Sequence, residues 1–360
     1  MFARFLSRRD SDVLFISSSS VDEVWTRTTA LQCHRAGLKV EVSVCAEKSE
    51  VLNLRSYHDV GIRAKAGVTF AAAADVRCDI AVTASSGLDR RIFPTRARQF
   101  IHMPHSLASL HMIYPADAFD GYDMLFAAGP QHDAEFAAIV QARRLGARKA
   151  WQVGYGKLDV LAQQAALWPC HERSAPKILV APSWGPDNLL DRCGVSLAVA
   201  LLSCGFEVVV RPHPLFFLER SAILRELSEL AARYPALCIE SPFDGDSAIF
   251  DADVLVGDYS GTSFEFSALR RKPVVSVDVG LKVVNPHWRE LNLVPVEIAC
   301  RELLGPVVTA DVGAIVQAVQ ASIGISQHLT DKDLGRFIYG LPGECGERAA
   351  GIIGQLVSKG

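Results

Sequence analysis

No CxxC pair occurs among the nine cysteines of this 360-residue chain, so neither a zinc knuckle nor a thioredoxin-like site is signalled. The cysteines are odd in number and scattered. Cys33, Cys204 and Cys238 sit inside apolar runs, where a thiol behaves as a small hydrophobe, and a reducing cytoplasm suits that usage. No stretch of about 18 uninterrupted apolar residues is present, which excludes a transmembrane helix. The N-terminal MFARFLSRRD lacks the apolar core and small-residue cleavage site of a signal peptide, so none is expected. Excess positive charge is missing as well: the formal net charge is -3, with a pI of 6.4, which excludes a global basic field for nucleic acid. Two local basic clusters (Arg90, Arg91, Arg96, Arg98; Arg143, Arg144, Arg148, Lys149) read as solvated faces, with a phosphate or membrane surface as the alternative. There is no GxxxxGK[ST] loop, GxGxxG fingerprint, GxSxG elbow or HExxH helix, so P-loop, dehydrogenase, serine-hydrolase and zinc-protease readings lose their main support.

What the chain does have is alternation. Hydrophobic residues make up 49% and charged residues 21%, ordinary globular usage that argues against disorder. Val13–Ile16 and Val40–Val44 predict buried strands. The helix between them is read from Val21, Val24, Trp25, Thr28 and Leu31, with Ser20 as its cap and Gly37 as its stop. Strand-like runs follow at 80–82, 99–101, 124–127 and 150–153. Residues 162–176 lose the rhythm and carry two prolines, which places an interdomain linker there. The pattern then restarts, with strands at 178–181, 208–210, 237–239, 254–256 and 274–277 and helices over 194–204 and 215–233. This predicts an α/β protein of two doubly wound domains, 1–165 and 172–335, with ligand binding at the strands' carboxyl ends in a cleft between them. A tail, 336–360, is expected to be helical and to return to the first domain.

Three segments carry chemistry. In Asp253–Leu269 a buried strand ends at Asp258, a turn of Ser260, Gly261, Thr262 and Ser263 follows, and a helix begins. Free N–H groups and hydroxyls there suit a phosphate or diphosphate, and Glu265, placed in the helix's first turn, suits a ribose diol. The same residues read equally as an N-cap with Glu265 as its capping-box partner. The second segment, Val208–Pro214, breaks a β-branched strand into Arg211 and His213 between two prolines, which hold both cations at the strand end. The third contains His102 and His105 after the strand at 99–101, with His111 and His132 further on. Histidine is suited to take a proton from a hydroxyl. A metal site is not expected, because no carboxylate pattern accompanies these histidines. The dense Asp244, Asp246, Asp251 and Asp253 read as caps and solvation for a short helix. Ser183, Trp184 and Gly185, after the strand at 178–181, are placed at the cleft lining.

Taken together these segments resemble the CDP-glycerol glycerophosphotransferase family, the polymerases and primases of teichoic-acid-like polymers. The resemblance runs through much of residues 99–280. The family's WHGTP is similar to the segment Phe100–Ser106, with His105 at its histidine. GYPRxD resembles Gly154–Asp159, with Lys157 replacing arginine. APT resembles Ala181–Ser183, the HP motif is matched by Arg211–Pro214, and DYSS by Asp258–Gly261. The glycine, threonine and lysine of HGTPLK are absent, and the first hundred residues match no family.

That resemblance implies the GT-B fold, two facing Rossmann-like domains. It also implies transfer of a polyol phosphate from a CDP-activated donor to a hydroxyl of a glycan or lipid-linked acceptor, with release of CMP, in cell-surface polymer synthesis. His105, or His102, is expected to be the acceptor-side base. His213 and Arg211 are expected to bind donor phosphates, and Asp258, Ser260–Ser263 and Glu265 to form the donor site, with Gly154 and Lys157 lining the cleft beside Ser183, Trp184 and Gly185. No tightly bound cofactor is expected; CDP-glycerol or a similar donor is substrate. The expected location is the cytoplasm, with peripheral contact at the inner face of the plasma membrane. A GT-B glycosyltransferase or UDP-sugar 2-epimerase-like enzyme stays open as an alternative, as does a noncatalytic nucleotide-binding protein of a polymer-assembly complex.

Overall fold

The computed structural model describes residues 10–18, 20–45, 54–85, 96–169, 173–218, 221–241 and 247–358; Arg90, Arg91, Cys170, Asp244 and Asp246 lie outside them. The chain divides into two compact units. The first comprises residues 1–163, Asn285–Leu293 and Phe337–Gly360; the second comprises Gln164–Val284 and Val294–Arg336. Each holds one sheet whose paired strands are all parallel.

In the first unit the strands are β1 (Val13–Ser17), β2 (Val40–Val44), β3 (Arg63–Ala66), β4 (Ile80–Thr83), β5 (Gln99–His102), β6 (Met124–Ala127) and β7 (Lys149–Gln152), in the order β3-β2-β1-β4-β5-β6-β7. The central strand β1 reads as the apolar run Val13–Ile16 because helices cover both faces of a parallel sheet. In β1, Val13 and Phe15 feed one core while Leu14 and Ile16 feed the other. The edge strand β3 has no apolar run, and its absence from the sequence reading follows from that. It carries Arg63 and Lys65, each 3.2 Å from buried Glu41 on β2, charges that also discourage pairing with another chain.

The single helix expected near residues 21–31 is two: Ser20–Glu23, then Arg27–Arg35. The C-terminal helix Cys345–Ser358 packs on the second of these and supplies Cys345, Ala349 and Ile353 to the Val13 core. Asp159 holds its start: the carboxylate accepts from the N–H groups of Gly343 (3.0 Å), Cys345 (3.1 Å) and Gly346 (2.6 Å). The helix Gly156–Leu167 runs through the first residues of the expected linker. The segment Asn285–Leu293, which the sequence places with the second domain, belongs to the first unit. There Asn285 Nδ2 donates to the His111 carbonyl (2.9 Å) and Asn285 N to the Met112 carbonyl (3.0 Å).

The second unit contains β8 (Lys177–Val180), β9 (Glu207–Val210), β10 (Leu237–Ile239), β11 (Val254–Gly257), β12 (Val274–Asp278) and β13 (Val307–Thr309), in the order β10-β9-β8-β11-β12-β13. Strand order reverses between β8 and β11, and in open α/β sheets ligands bind beyond the strand ends at such a point. The helix expected over 215–233 is described as Pro214–Leu218 and Ala222–Ala231. Ion pairs close the opposite edge: Lys177 with Asp251 (3.1 Å), Arg173 with Asp253 (3.0 Å) and Lys272 with Asp253 (2.7 Å). Asp251 and Asp253 are therefore occupied by cations rather than solvating a helix. Among the described residues no group of three His, Cys, Asp or Glu side chains is arranged to hold a metal, and no helix is long and apolar enough to cross a membrane.

Candidate functional site

In the second unit the reversal point is built by Asp258. This residue follows β11, and its carboxylate accepts from Ser183 N (2.6 Å) and Leu189 N (2.9 Å), both on the connection leaving β8. Burial pushes the carboxyl above its ordinary range, against the opposing pull of the two N–H groups and of the Lys282 charge. Both oxygens are thus committed to backbone. The expectation that Asp258 touches a donor is corrected: it positions the loop that carries Ser183, Trp184 and Gly185. Ser183 is buried in that clamp. Trp184 is 37% exposed, and Gly185 adopts φ 121°, in the region that favours glycine, with open space beside it.

Ser260 is the N-cap of the helix Gly261–Arg270, its hydroxyl accepting from Thr262 N (3.3 Å), and Ser263 N donates to the Ser260 carbonyl (3.2 Å). The cap reading of this turn is therefore observed, and it consumes two of the four N–H groups a helix start offers. Ser263 is buried, with its hydroxyl packed toward Gly257, which removes it from a ligand-facing role. Glu265 is the fifth helical residue, outside the first turn, and is 4% exposed; Ser263 occupies the capping-box position instead. Thr262 and Gly261 remain half-buried at the helix start.

On the neighbouring loop after β9, Pro212 and Pro214 bracket His213. Its Nδ1 accepts from Leu215 N (3.3 Å), which leaves Nε2 as the N–H donor of the neutral ring. Arg211 Nε stands 3.7 Å from Glu240 Oε2, and the other Glu240 oxygen takes the Ala248 N–H (2.9 Å) and the Ser247 hydroxyl. A buried carboxylate thus orients the guanidinium. The His213 and Trp184 rings lie 5.9 Å apart, and Lys282 Nζ lies 3.9 Å from the Trp184 centroid. Burial lowers the Lys282 amine to about 8, against the raising influence of Asp258 and Glu297. Sequence reasoning missed Lys282; the available cue was its position in a loop directly after a buried strand.

In the first unit, His105 Nδ1 lies 2.9 Å from the Ala84 carbonyl, which makes Nδ1 the protonated nitrogen and Nε2 the acceptor; the Tyr114 hydroxyl stands 3.2 Å from Nε2. Trp25 packs edge-on at 5.5 Å, and Tyr155 binds the His105 carbonyl through its hydroxyl (2.9 Å). At the β1/β4 reversal point the Ser85 hydroxyl donates to Asp22 (2.9 Å) and lies 2.8 Å from the Ser18 hydroxyl. Neither Ser18, Asp22 nor Ser85 was singled out from sequence.

His102 requires a correction. It is 0% exposed, between Phe119 (5.2 Å) and Tyr122 (4.9 Å), and burial holds its pKa well below the ordinary value. A base must reach the proton it takes, and this ring is sealed in the core. Gly154 is corrected as well. It is buried at φ 108°, and a Cβ there would stand 2.6 Å from the Tyr339 carbonyl, so it lies beneath the C-terminal segment rather than lining an open surface. Lys157 is half-buried at the start of the helix Gly156–Leu167.

Two Rossmann-like α/β units, each with a reversal of strand order in its parallel sheet, are those of the GT-B architecture. Comparison with solved structures agrees. The wall teichoic acid polymerase TagF, in a structure soaked with CDPG, is matched with a TM-score of 0.64 at 12% identity, over 97% of this chain and 89% of that one. The UDP-GlcNAc 2-epimerase of Methanocaldococcus jannaschii, in complex with UDP-GlcNAc and UDP, is matched at 0.63 and 11%, over 96% and 99%. A putative UDP-N-acetylglucosamine 2-epimerase from Listeria monocytogenes gives 0.60 and 12%, over 97% and 96%. At these identities the likeness is one of fold. No family model matches the chain, and neither does any curated protein.

Proposed function

We propose that the chain is a transferase that uses a nucleotide-activated donor held on the second unit, and that it moves a glycerol phosphate-like polyol phosphate from a CDP donor to a hydroxyl of a glycan or lipid-linked acceptor. The carrying observation is that His213, bracketed by two prolines after β9, stands against Trp184 on the loop that Asp258 ties across the β8/β11 reversal point, with Arg211 beside Glu240 at the same strand end. Cationic donors held rigidly there suit the charge that develops on a departing nucleotide, and one such donor is worth about 3–4 kcal/mol in a transition state.

In the reaction proposed, the acceptor hydroxyl takes the place of the Tyr114 hydroxyl at His105 Nε2 and gives up its proton there. Its oxygen attacks the outer phosphorus of the donor. The bond from that phosphorus to the bridging oxygen breaks, and the electron pair leaves with CMP. The Nδ1–H bond to the Ala84 carbonyl fixes the tautomer this step requires. A positioned base of this kind contributes on the order of 10²–10⁴-fold. The test is CMP release from CDP-glycerol with candidate hydroxyl acceptors. His105→Ala is expected to lower turnover by about that factor while leaving nucleotide affinity within about threefold; lost affinity with unchanged turnover at saturation refutes the role.

A second reading, sugar transfer or 2-epimerisation from a UDP-sugar, is favoured by the UDP-GlcNAc and UDP named for the epimerase structure. Release or epimerisation chemistry seen with UDP-GlcNAc and none with CDP-glycerol would select it.

A further inference from the structure

One cation of the second unit has no partner of the usual kind. Lys282 lies on the loop after β12, half-buried, with its ammonium 3.9 Å from the Trp184 centroid. Among the described residues it makes no hydrogen bond and no ion pair. The other half-buried lysines of this unit are paired: Lys177 with Asp251 and Lys272 with Asp253. An ammonium withdrawn from water is unfavourable unless an anion compensates it, and an indole face compensates only in part. The charged groups around it are Asp258 from the turn after β11 and Glu297 from the helix Val296–Ala299, and the His213 ring lies 5.9 Å from the Trp184 ring. Asp258 has both oxygens on backbone N–H groups. Among the described residues neither carboxylate bonds to the ammonium, which leaves it able to take a further anion.

We propose that Lys282, laid on Trp184, is an anion-binding residue of the second unit and that the anion it receives is a diphosphate group. In the proposed reaction this is the diphosphate of the nucleotide donor, and to that extent the inference rests on the reading given above. Three loops supply the site: the one after β8 through Trp184, the one after β9 through Arg211 and His213, and the one after β12 through Lys282. The indole holds the ammonium in place without neutralising it, so the charge remains available. The lowered pKa of about 8 agrees with this environment. It gives a sign: the charged form is present below about pH 8, so anion affinity is full there and falls as pH rises above it.

The experiment is calorimetric titration of the full chain with inorganic pyrophosphate, CDP and UDP, in the wild type, Lys282→Met and Lys282→Arg. Pyrophosphate and a nucleotide are expected to bind. Lys282→Met is expected to weaken both about 10–100-fold, the range for hydrogen bonds to charged groups. Lys282→Arg should recover most of the affinity and hold it from pH 7 to 9.5, where the wild type loses it. The thermal midpoint of Lys282→Met without ligand, at or above that of the wild type, shows that the loss is not unfolding. Nucleotide binding that is unaffected by Lys282→Met overturns the inference and leaves the donor reading standing. Pyrophosphate binding that depends on Lys282, with no binding of either nucleotide, upholds the inference and overturns the donor reading. Binding of none of the three overturns both.

Discussion

Replacing His102 by leucine gives the sharpest energetic prediction. The imidazole is fully buried between Phe119 and Tyr122, and among the described residues neither ring nitrogen has a hydrogen-bond partner. Burial lowers its pKa well below the ordinary value, so the folded ring stays neutral while the unfolded one binds a proton below about pH 6.5. A depressed pKa contributes stability that is present above the unfolded value and is lost as pH falls. Integrating the linkage from about pH 7.5 to about pH 5.5 gives a loss of about 1.4 kcal/mol per such histidine. His132 adds a similar but smaller loss, since its pKa is lowered by burial against opposing contributions from Glu135, the Ala108 carbonyl and Asp133. His102→Leu should therefore remove about 1.4 kcal/mol of the acid dependence of the first unit's unfolding transition and leave the His132 part. At pH 7.5 the variant escapes an unpaired buried polar group, a cost of about 1–3 kcal/mol. It gives up two ring contacts of about 0.5–1.5 kcal/mol, and it should end close to the wild type or somewhat above it. Scanning calorimetry at several pH values, with the two units' transitions resolved, reads both quantities. An unchanged pH slope in His102→Leu refutes the burial argument and restores His102 as a candidate base.

Three further outcomes follow from the structure. Asp258→Ala removes the acceptor from the N–H groups of Ser183 and Leu189; at about 1.5–3 kcal/mol each, hydrogen-exchange protection at those two amides should fall by at least about tenfold, and unchanged protection refutes the clamp. Asp251 and Asp253 are held below the ordinary range by Trp168, Lys177, Lys272 and Arg173 against the opposing effect of burial, so they add stability to the second unit that is present above about pH 4 and lost on further acidification. Their asparagine variants should flatten the second unit's melting profile between about pH 5 and pH 3, and a profile parallel to the wild type's would contradict the pairing. Asp159→Ala should release the helix Cys345–Ser358, whose start depends on three N–H bonds to that carboxylate; proteolysis confined to this helix reads the change, and resistance equal to the wild type's would count against it.

Much of the fold was legible because its cause is local. The buried parallel strands β1, β8 and β11 are built on the apolar runs Val13–Ile16, Ile178–Val180 and Val254–Val256, and β12 on Val274–Val277 with Ser276 as its one polar residue, a pattern that follows from helices on both sheet faces. Edge strand β3 alternates charged residues with alanine, and β13 offers only Val307 and Val308 before Thr309; both went unread. The site was legible in part. Arg211 and His213 were picked out because two flanking prolines mark a rigid strand end, and the structure holds both in the loop after β9. His102 and His105 looked equivalent in sequence, and their difference is tertiary: His102 is the last residue of β5 and packs on Phe119 and Tyr122, whereas His105, three residues on, binds Ala84 and Tyr114. Asp258 was assigned to a ligand because counting along a chain does not show that its carboxylate is taken by two backbone amides, and Glu265 was placed in the first turn because the chain alone does not fix the helix start at Gly261. Lys282 gave only the cue of a loop after a buried strand; its meaning comes from an indole 98 positions earlier in the chain, brought beside it by the order of the strands.

The central claim is that the second unit binds a nucleotide-activated donor. A thermal-shift panel with CDP-glycerol, CDP-ribitol, CMP, UDP-N-acetylglucosamine and UDP tests it most directly. A ligand at 100 times its dissociation constant adds about 2.7 kcal/mol, which the assay resolves. The account predicts selective stabilisation by the cytidine compounds, reduced in His213→Ala and Arg211→Met. Stabilisation by the uridine compounds alone would contradict the cytidine assignment, and no shift from any of the five would contradict the claim itself.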